Sequence, residues 1–377
     1  MADQVRMRSP LSDKKTQPPP TGKWRDIVGL TVLFVLSACA GWVFERIGAP
    51  LPWMTGPLVF TAAVFMGPAP RLVVPTKLRA FGQVVVATQV GLAFSPEALE
   101  MLIAFAPVIV GTALTTGVSI FFVALLMTRL TGQGLAQAFM SAMPTSPVEA
   151  ATMAAAAGVP TVPVIFSQTF RLAAVVLILP FSLYAIEGWP EGGREPVTLA
   201  MSDPWHIIML AVIGLAAAQV FRFLRVPNPN FLGPLTAAAA LAASGQGLAP
   251  FPPAILALAQ IVLGTWLGAI FRREILSSAW RLTLTSALSA VLTLGACIIS
   301  ALGIAALTGV DWRTMVLGAA PGGVVEMALT AKFLEQNFIL ITTFHLVRIF
   351  IFMPNIPWIV RLITRHEQRK TNGENDK

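Results

Sequence analysis

Two glutamates and two arginines stand in otherwise apolar stretches of this chain, and each glutamate follows a proline-bearing interruption. The first stretch reads SAMPTSPVEAATMAAAAG over 141–158 and the second GAAPGGVVEMALTAK over 318–332. Arg171 follows Glu149 by 22 residues, and Arg348 follows Glu326 by the same 22. Proline removes a backbone donor and clashes with the preceding turn. The helix is therefore expected to break near Pro144-Thr145-Ser146-Pro147 and near Pro321-Gly322-Gly323. Unwound backbone inside a bilayer survives only where protein or a water-filled cavity satisfies it. Exposed amides there suit an anion, and exposed carbonyls a cation. A single break reads as an ordinary proline kink; the same Pro–Glu constellation twice favours a paired solute or ion site.

A charge at the bilayer centre costs at least about 2.5–3.5 kcal/mol on insertion scales. Two structural pairs, Glu149–Arg171 and Glu326–Arg348, would lower that cost. In a functional reading the glutamates carry protons or bind a coupling cation, while the arginines grip a substrate carboxylate in bidentate fashion. The two readings are compatible. His345 lies three residues before Arg348, on the same helix face, at the position matching Gln168. It serves as a satisfied polar residue or as a proton relay. Gln83 and Thr88, and again Gln260 and Thr265, stand five apart; they hydrogen-bond between helices or line a cavity.

The elements that must position these residues follow from composition. The chain has 377 residues, 55% of them hydrophobic and 12% charged, with a mean hydropathy of +0.74. Soluble domains carry about 25% charged residues, so a water-soluble enzyme is excluded and a polytopic all-α membrane protein is expected. Cys39 and Cys297 both lie in apolar runs and support neither a disulfide framework nor a metal cluster. Three histidines, His206, His345 and His366, are too few for a multi-histidine metal site. No cofactor and no metal are expected. The net charge of +8 gathers in the two tails, which marks cytoplasmic flanks rather than a nucleic-acid surface.

The chain is one unit written twice. PLPWMTGPL (50–58) matches PNPNFLGPL (227–235) at five of nine positions, an offset of 177 residues from Pro50 to Pro227. QVVVATQVGLAF (83–94) matches QIVLGTWLGAIF (260–271) at the same offset, and Pro144/Pro321, Glu149/Glu326, Arg171/Arg348 and Pro180/Pro357 follow without a gap. Chance does not readily place Pro, Gln, Glu and Arg together at one offset. Each copy holds six apolar segments, near 27–45, 52–67, 79–95, 101–128, 134–157 and 162–185, then 205–221, 229–245, 255–271, 282–308, 313–333 and 338–360. An odd number of crossings inverts the second copy and an even number does not. Five crossings per copy place Arg79, Arg129, Arg222, Arg225 and Arg281 inside with both termini, as the positive-inside rule asks. The expected plan is a disordered tail (1–26), repeat 1 (27–186), a linker (187–203), repeat 2 (204–362) and a C-terminal tail (363–377). The repeats are inverted, with five spans each and a broken or re-entrant fifth segment.

The duplicated P-x-x-x-G-P-L, the Q-x-V/L-x-x-T-x-x-G segment and the AAPGGVVEM…FHLVRIF ending resemble the AbrB duplication family of bacterial inner-membrane proteins. The resemblance covers about residues 27 to 362. It implies an architecture similar to the cation:proton antiporter and anion transporter superfamily, with crossed, broken helices. It also brings two labels, ammonia monooxygenase and regulator of gene expression. Oxygen activation needs a metal or an organic cofactor, and one intramembrane histidine supplies no ligand cluster. The expected activity is non-enzymatic: secondary transport of a small solute, an organic anion or amino-acid-like compound, coupled to H+ or Na+. A membrane-embedded regulator is the alternative, although tails of about 25 and 16 residues fall short of an independent domain. The expected partners are membrane lipid, the solute and its ion, with no nucleic acid; the oligomeric state, a homo-oligomer included, stays open.

Overall fold

Residues 23–67, 72–94, 96–187, 204–226, 228–244, 249–271 and 280–375 are described by a computed structural model. Most of the expected N-terminal tail, the linker after residue 187, and Arg71, Arg272 and Arg273 lie outside them. The described residues are helical throughout: α1 (Lys23–Arg46), α2 (Pro52–Met66), α3 (Thr76–Gly91), α4 (Pro96–Ala104), α5 (Ala106–Thr131), α6 (Leu135–Ala142), α7 (Pro147–Ala156) and α8 (Thr161–Glu187), then α9 (Pro204–Phe223), α10 (Pro229–Ala243), α11 (Pro253–Gly268), α12 (Trp280–Thr308), α13 (Trp312–Ala319), α14 (Val324–Phe333) and α15 (Phe338–Asn375). Apolar chain in a bilayer must satisfy every backbone group internally, and helices do so. Shifted by the sequence offset of 177, the bounds of α2, α3, α6 and α7 become those of α10, α11, α13 and α14, residue for residue. The duplication is thus a duplication of structure.

Among the described residues, six helices are long and apolar enough to cross a membrane: Trp24–Arg46, Ala106–Thr131, Thr161–Ile186, Pro204–Phe223, Trp280–Thr308 and Phe338–Glu367. The sequence reading expected ten. The second and third segments of each copy form helices of only 15 or 16 residues, roughly 23 Å at 1.5 Å per residue against a ~30 Å hydrocarbon core. Proline sets their starts: Pro52, Pro229 and Pro253 each lie in the first turn, where the missing N–H costs nothing. The C-terminal segment expected as a tail is instead a continuation of α15 through Asn375.

The short helices pack in the middle of the molecule, crossing between copies: α2 lies on α1 and α11, α10 lies on α9 and α3, and α3 touches α11. Glycine makes these crossings close. A Cβ on Gly268 would stand 2.4 Å from the Leu58 carbonyl oxygen, and one on Gly91 2.4 Å from that of Leu235. Backbone cannot swing aside as a side-chain tip can. Gly268→Ala should therefore force α2 from α11 and cost about 1–3 kcal/mol, read as a lower unfolding temperature in detergent. Gly295→Ala on α12, where nothing stands within 4 Å, should show no such loss.

Large apolar side chains on α1, α5, α9 and α12 face outward, among them Val28, Val35, Phe122, Ile208, Val212 and Ile299, a surface suited to lipid. Inside, one apolar cluster joins Met54, Val86, Phe231 and Leu267 to Leu172 and Val325. Others gather around Met127, Met140 and Phe352, and around Leu179, Met315 and Phe344. The two broken elements lie among these clusters.

Candidate functional site

Both fifth segments break where the prolines predict. α6 stops at Ala142, residues 143–146 are non-helical, and α7 restarts at Pro147. α13 stops at Ala319 and α14 restarts at Val324. The first restart is closed by a capping box: Ser146 Oγ accepts the Glu149 N–H at 3.3 Å, and Glu149 Oε2 accepts the Ser146 N–H at 3.4 Å. The second restart has Gly323 at the cap and no side-chain cap.

The expected pairs Glu149–Arg171 and Glu326–Arg348 are not formed. Each arginine, 2% exposed, instead serves the carbonyls left at the end of the first half-helix. Arg171 Nη1 donates to the carbonyls of Ser141 (3.0 Å) and Ala142 (2.9 Å), and its Nη2 to Gln168 Oε1 (2.7 Å). Arg348 Nη1 donates to Ala320 O (2.7 Å), and its Nη2 to Gly322 O (3.2 Å). The physical reason is the break itself: helix ends leave carbonyls without partners and concentrate negative potential there, and a guanidinium carries five donors in a fixed fork. One bond crosses between copies, from Arg171 Nε to Pro321 O at 3.0 Å. The equivalent Arg348 Nε is buried without a partner.

His345 does the work of Gln168. Gln168 Nε2 donates to the Met140 and Met143 carbonyls at 2.6 Å each. His345 Nε2 lies 2.9 Å from Leu317 O, and its Nδ1 lies 2.8 Å from Arg348 Nη2. A carbonyl only accepts and a guanidinium only donates. The ring must therefore be neutral, protonated on Nε2 alone, with both nitrogens occupied. That geometry leaves no nitrogen for the proton relay considered from sequence. His345→Gln, which installs the residue of the first copy, should keep the Leu317 carbonyl and Arg348 satisfied and lower the unfolding temperature in detergent by no more than about 1 kcal/mol of stability would; a large loss of folded protein would show that the imidazole has a role an amide cannot fill.

A small cavity lies between the breaks. Pro144, Thr145, Ser146 and Glu149 line it from the first break; Gly322, Gly323 and Glu326 line it from the second. Gln83 and Arg348 also face it. Glu326 is 7% exposed, whereas Glu149 is half-buried. Of the other expected site residues, Arg171, Gln168, His345 and Pro321 stand behind the wall and brace the breaks. Thr88, Gln260 and Thr265 do not line this cavity. Thr88 Oγ1 donates to Val84 O within its own helix, and Thr265 Oγ1 is buried without a partner.

Two polar lining residues escaped the sequence reading. Arg79 was counted as a loop charge, yet it lies four residues before Gln83 on α3 and so shares its face. It lines the cavity with its guanidinium 4.4 Å from the Trp266 ring centroid. Asn228, in left-handed backbone at φ 48°, donates its N–H to Glu149 Oε1 at 3.1 Å. Asparagine tolerates that region better than most residues, a signal present in the sequence. Among the described residues, no group of three or more His, Cys, Asp and Glu side chains could hold a metal ion.

Comparison with known proteins places these features in a family. The family model described as "Transition state regulatory protein AbrB" matches residues 63–364. "Uncharacterized protein YhjN" of Bacillus subtilis (strain 168) is 24% identical over 367 residues, covering 89% of this chain and 93% of its own length. "Putative regulator AbrB" of Escherichia coli (strain K12) is 26% identical over 166 residues, 44% of this chain and 48% of its own. The family description names regulation and no reaction.

Proposed function

The chain is an all-helical, multi-pass membrane protein of the AbrB family, and from that premise we propose that it is a secondary transporter of a small solute, driven by protons or sodium. The observation that carries this reading is the single cavity walled by both helix breaks and holding both glutamates. Intramembrane carboxylates are costly and mark ion or substrate paths, and broken helices meeting between repeats are a recurrent way to build a solute site.

In this reading repeat 1 spans 27–186 and repeat 2 spans 204–362, running in opposite directions through the bacterial inner membrane with both termini in the cytoplasm. The distribution of Lys and Arg supports the inversion. The reciprocal packing of α2 on α11 and of α10 on α3 is the pattern that a two-fold axis between the copies produces, whether the copies are inverted or parallel. The cavity would then open toward the cytoplasmic side, where Arg79 and the loop before Asn228 lie. Flux of candidate solutes into proteoliposomes, with an imposed pH or sodium gradient, tests the proposal. Uptake that ignores both gradients would sink the coupling; no uptake of any solute would sink transport.

A second reading, a membrane-embedded regulator of gene expression, is favoured by the family description and the name of the E. coli relative. Its output surface would be cytoplasmic, at the end of α15. Glu367 accepts the Leu135 N–H at the start of α6, so that end of α15 is joined to the element leading into the first break. Truncation after residue 366 discriminates: lost expression control with intact uptake favours the regulator.

A further inference from the structure

We propose that the solute is a small carboxylate, seated between the first turn of α14 and the Nε–H of Arg348. This rests on the cavity between the breaks being the solute site. The groups left unspent in its wall are donors. Arg348 Nε is buried and has no partner. The first turn of α14 presents backbone amides that no intrahelical carbonyl can satisfy, and Gly323 brings no capping side chain. Val324 and Val325, which carry two of those amides, line the cavity. Arg79 adds a second guanidinium.

The acceptors are mostly committed. Both oxygens of Glu149 receive backbone N–H groups, from Ser146 and Asn228. Glu326 is the other acid, and its position identifies the seat: Oε2 lies 2.0 Å from where a Cβ on Gly323 would stand. The chain's own carboxylate thus lies back over the start of α14. A carboxylate already rests at this place, and the solute's would replace it as Glu326 turns away. The first copy has no such vacancy, because Ser146 fills the matching cap. The charges agree as well. Arg79, Arg171 and Arg348 about the two breaks outnumber Glu149 and Glu326 by one, so one bound carboxylate brings the group to neutrality.

Two substitutions move binding in opposite directions. Gly323→Ser supplies the hydroxyl that closes α7 in the first copy. Its backbone, φ −78° and ψ 152°, is ordinary for serine, and its Cβ meets only the tip of Glu326 and, at 3.3 Å, Leu172 Cδ2. Glu326→Gln removes the competing charge. The full chain in lipid nanodiscs would be titrated calorimetrically with acetate, pyruvate, succinate and glutamate, each against its amide at equal ionic strength. We expect at least one carboxylate to bind and its amide not to. G323S should weaken that binding at least tenfold without lowering the unfolding temperature, and E326Q should strengthen it several-fold. Binding of acid and amide alike, binding of none of the four, or unchanged affinity in a folded G323S protein would overturn the seat. Coupled uptake of a carboxylate-free solute would leave transport standing and remove this ligand class. Carboxylate binding without flux would do the reverse.

Discussion

Glu326→Gln should reduce solute uptake by at least about 100-fold, equivalent to roughly 2.7 kcal/mol, while raising the temperature at which the protein unfolds. The two effects have one cause. Glu326 is almost wholly buried and, among the described residues, its carboxylate is joined to neither buried arginine, both of which are spent on carbonyls. Holding such a charge at membrane depth costs about 2.5–3.5 kcal/mol on insertion scales, and the neutral amide of nearly the same shape removes that cost. A structural glutamate would behave oppositely. Glu149 supplies the contrast: its oxygens accept two backbone N–H groups, so Glu149→Gln loses charge-assisted acceptance and should destabilise by about 1–2 kcal/mol. Paired melting curves and proteoliposome fluxes decide the matter. E326Q protein that transports like wild type ends the assignment, and E326Q protein that melts lower makes the residue a scaffold.

Arg171→Met carries the largest expected loss of stability. The guanidinium holds the carbonyls of Ser141, Ala142 and Pro321 and the amide oxygen of Gln168. Hydrogen bonds to charged groups contribute about 1.5–3 kcal/mol each, and an abandoned buried acceptor costs about 1–3. A combined loss of at least about 3 kcal/mol follows, a large share of the roughly 5–15 kcal/mol by which folded proteins are ordinarily stable. Arg171→Lys should recover part of it, since one ammonium can reach some of these acceptors but not the forked set. Arg348→Met loses as many contacts, but one of them is long, 3.5 Å to Ala319 O, none reaches the other copy, and its Nε already lacks a partner, so it should cost less. Detergent-solubilised yield and the midpoint of thermal unfolding measure the order; equal losses for the two variants would contradict it.

The duplication, the two breaks and the paired glutamates were legible because each rests on local covalent chemistry. Pro144 and Pro321 lie in the breaks and Pro147 opens the helix that follows, and one offset of 177 aligns residue types that cannot drift freely. The partners of Arg171 and Arg348 were not legible. Opposite charges at matching spacing suggested ion pairs, but the carbonyls freed by each break are backbone groups that no side-chain letter announces. Arg79 was misassigned because its neighbours read as a loop, although α3 begins at Thr76. The shortness of the central helices was not legible, because apolar composition reports burial, and burial against protein looks the same in a sequence as burial in lipid. His345 drew attention as a titratable side chain, whereas its place in the structure is that of an amide.

Arg171 Nε reaches across to Pro321 O in the other copy, whereas the matching bond, from Arg348 Nε to the Pro144 carbonyl, is unmade. A molecule folded from two like halves is in this respect lopsided. Exchanging the roles of the halves would trade that one bond for its twin, while the cap on α7 stays with Ser146 and the start of α14 stays with Gly323, so the same sequence holds a reflected arrangement related to this one but not equal to it.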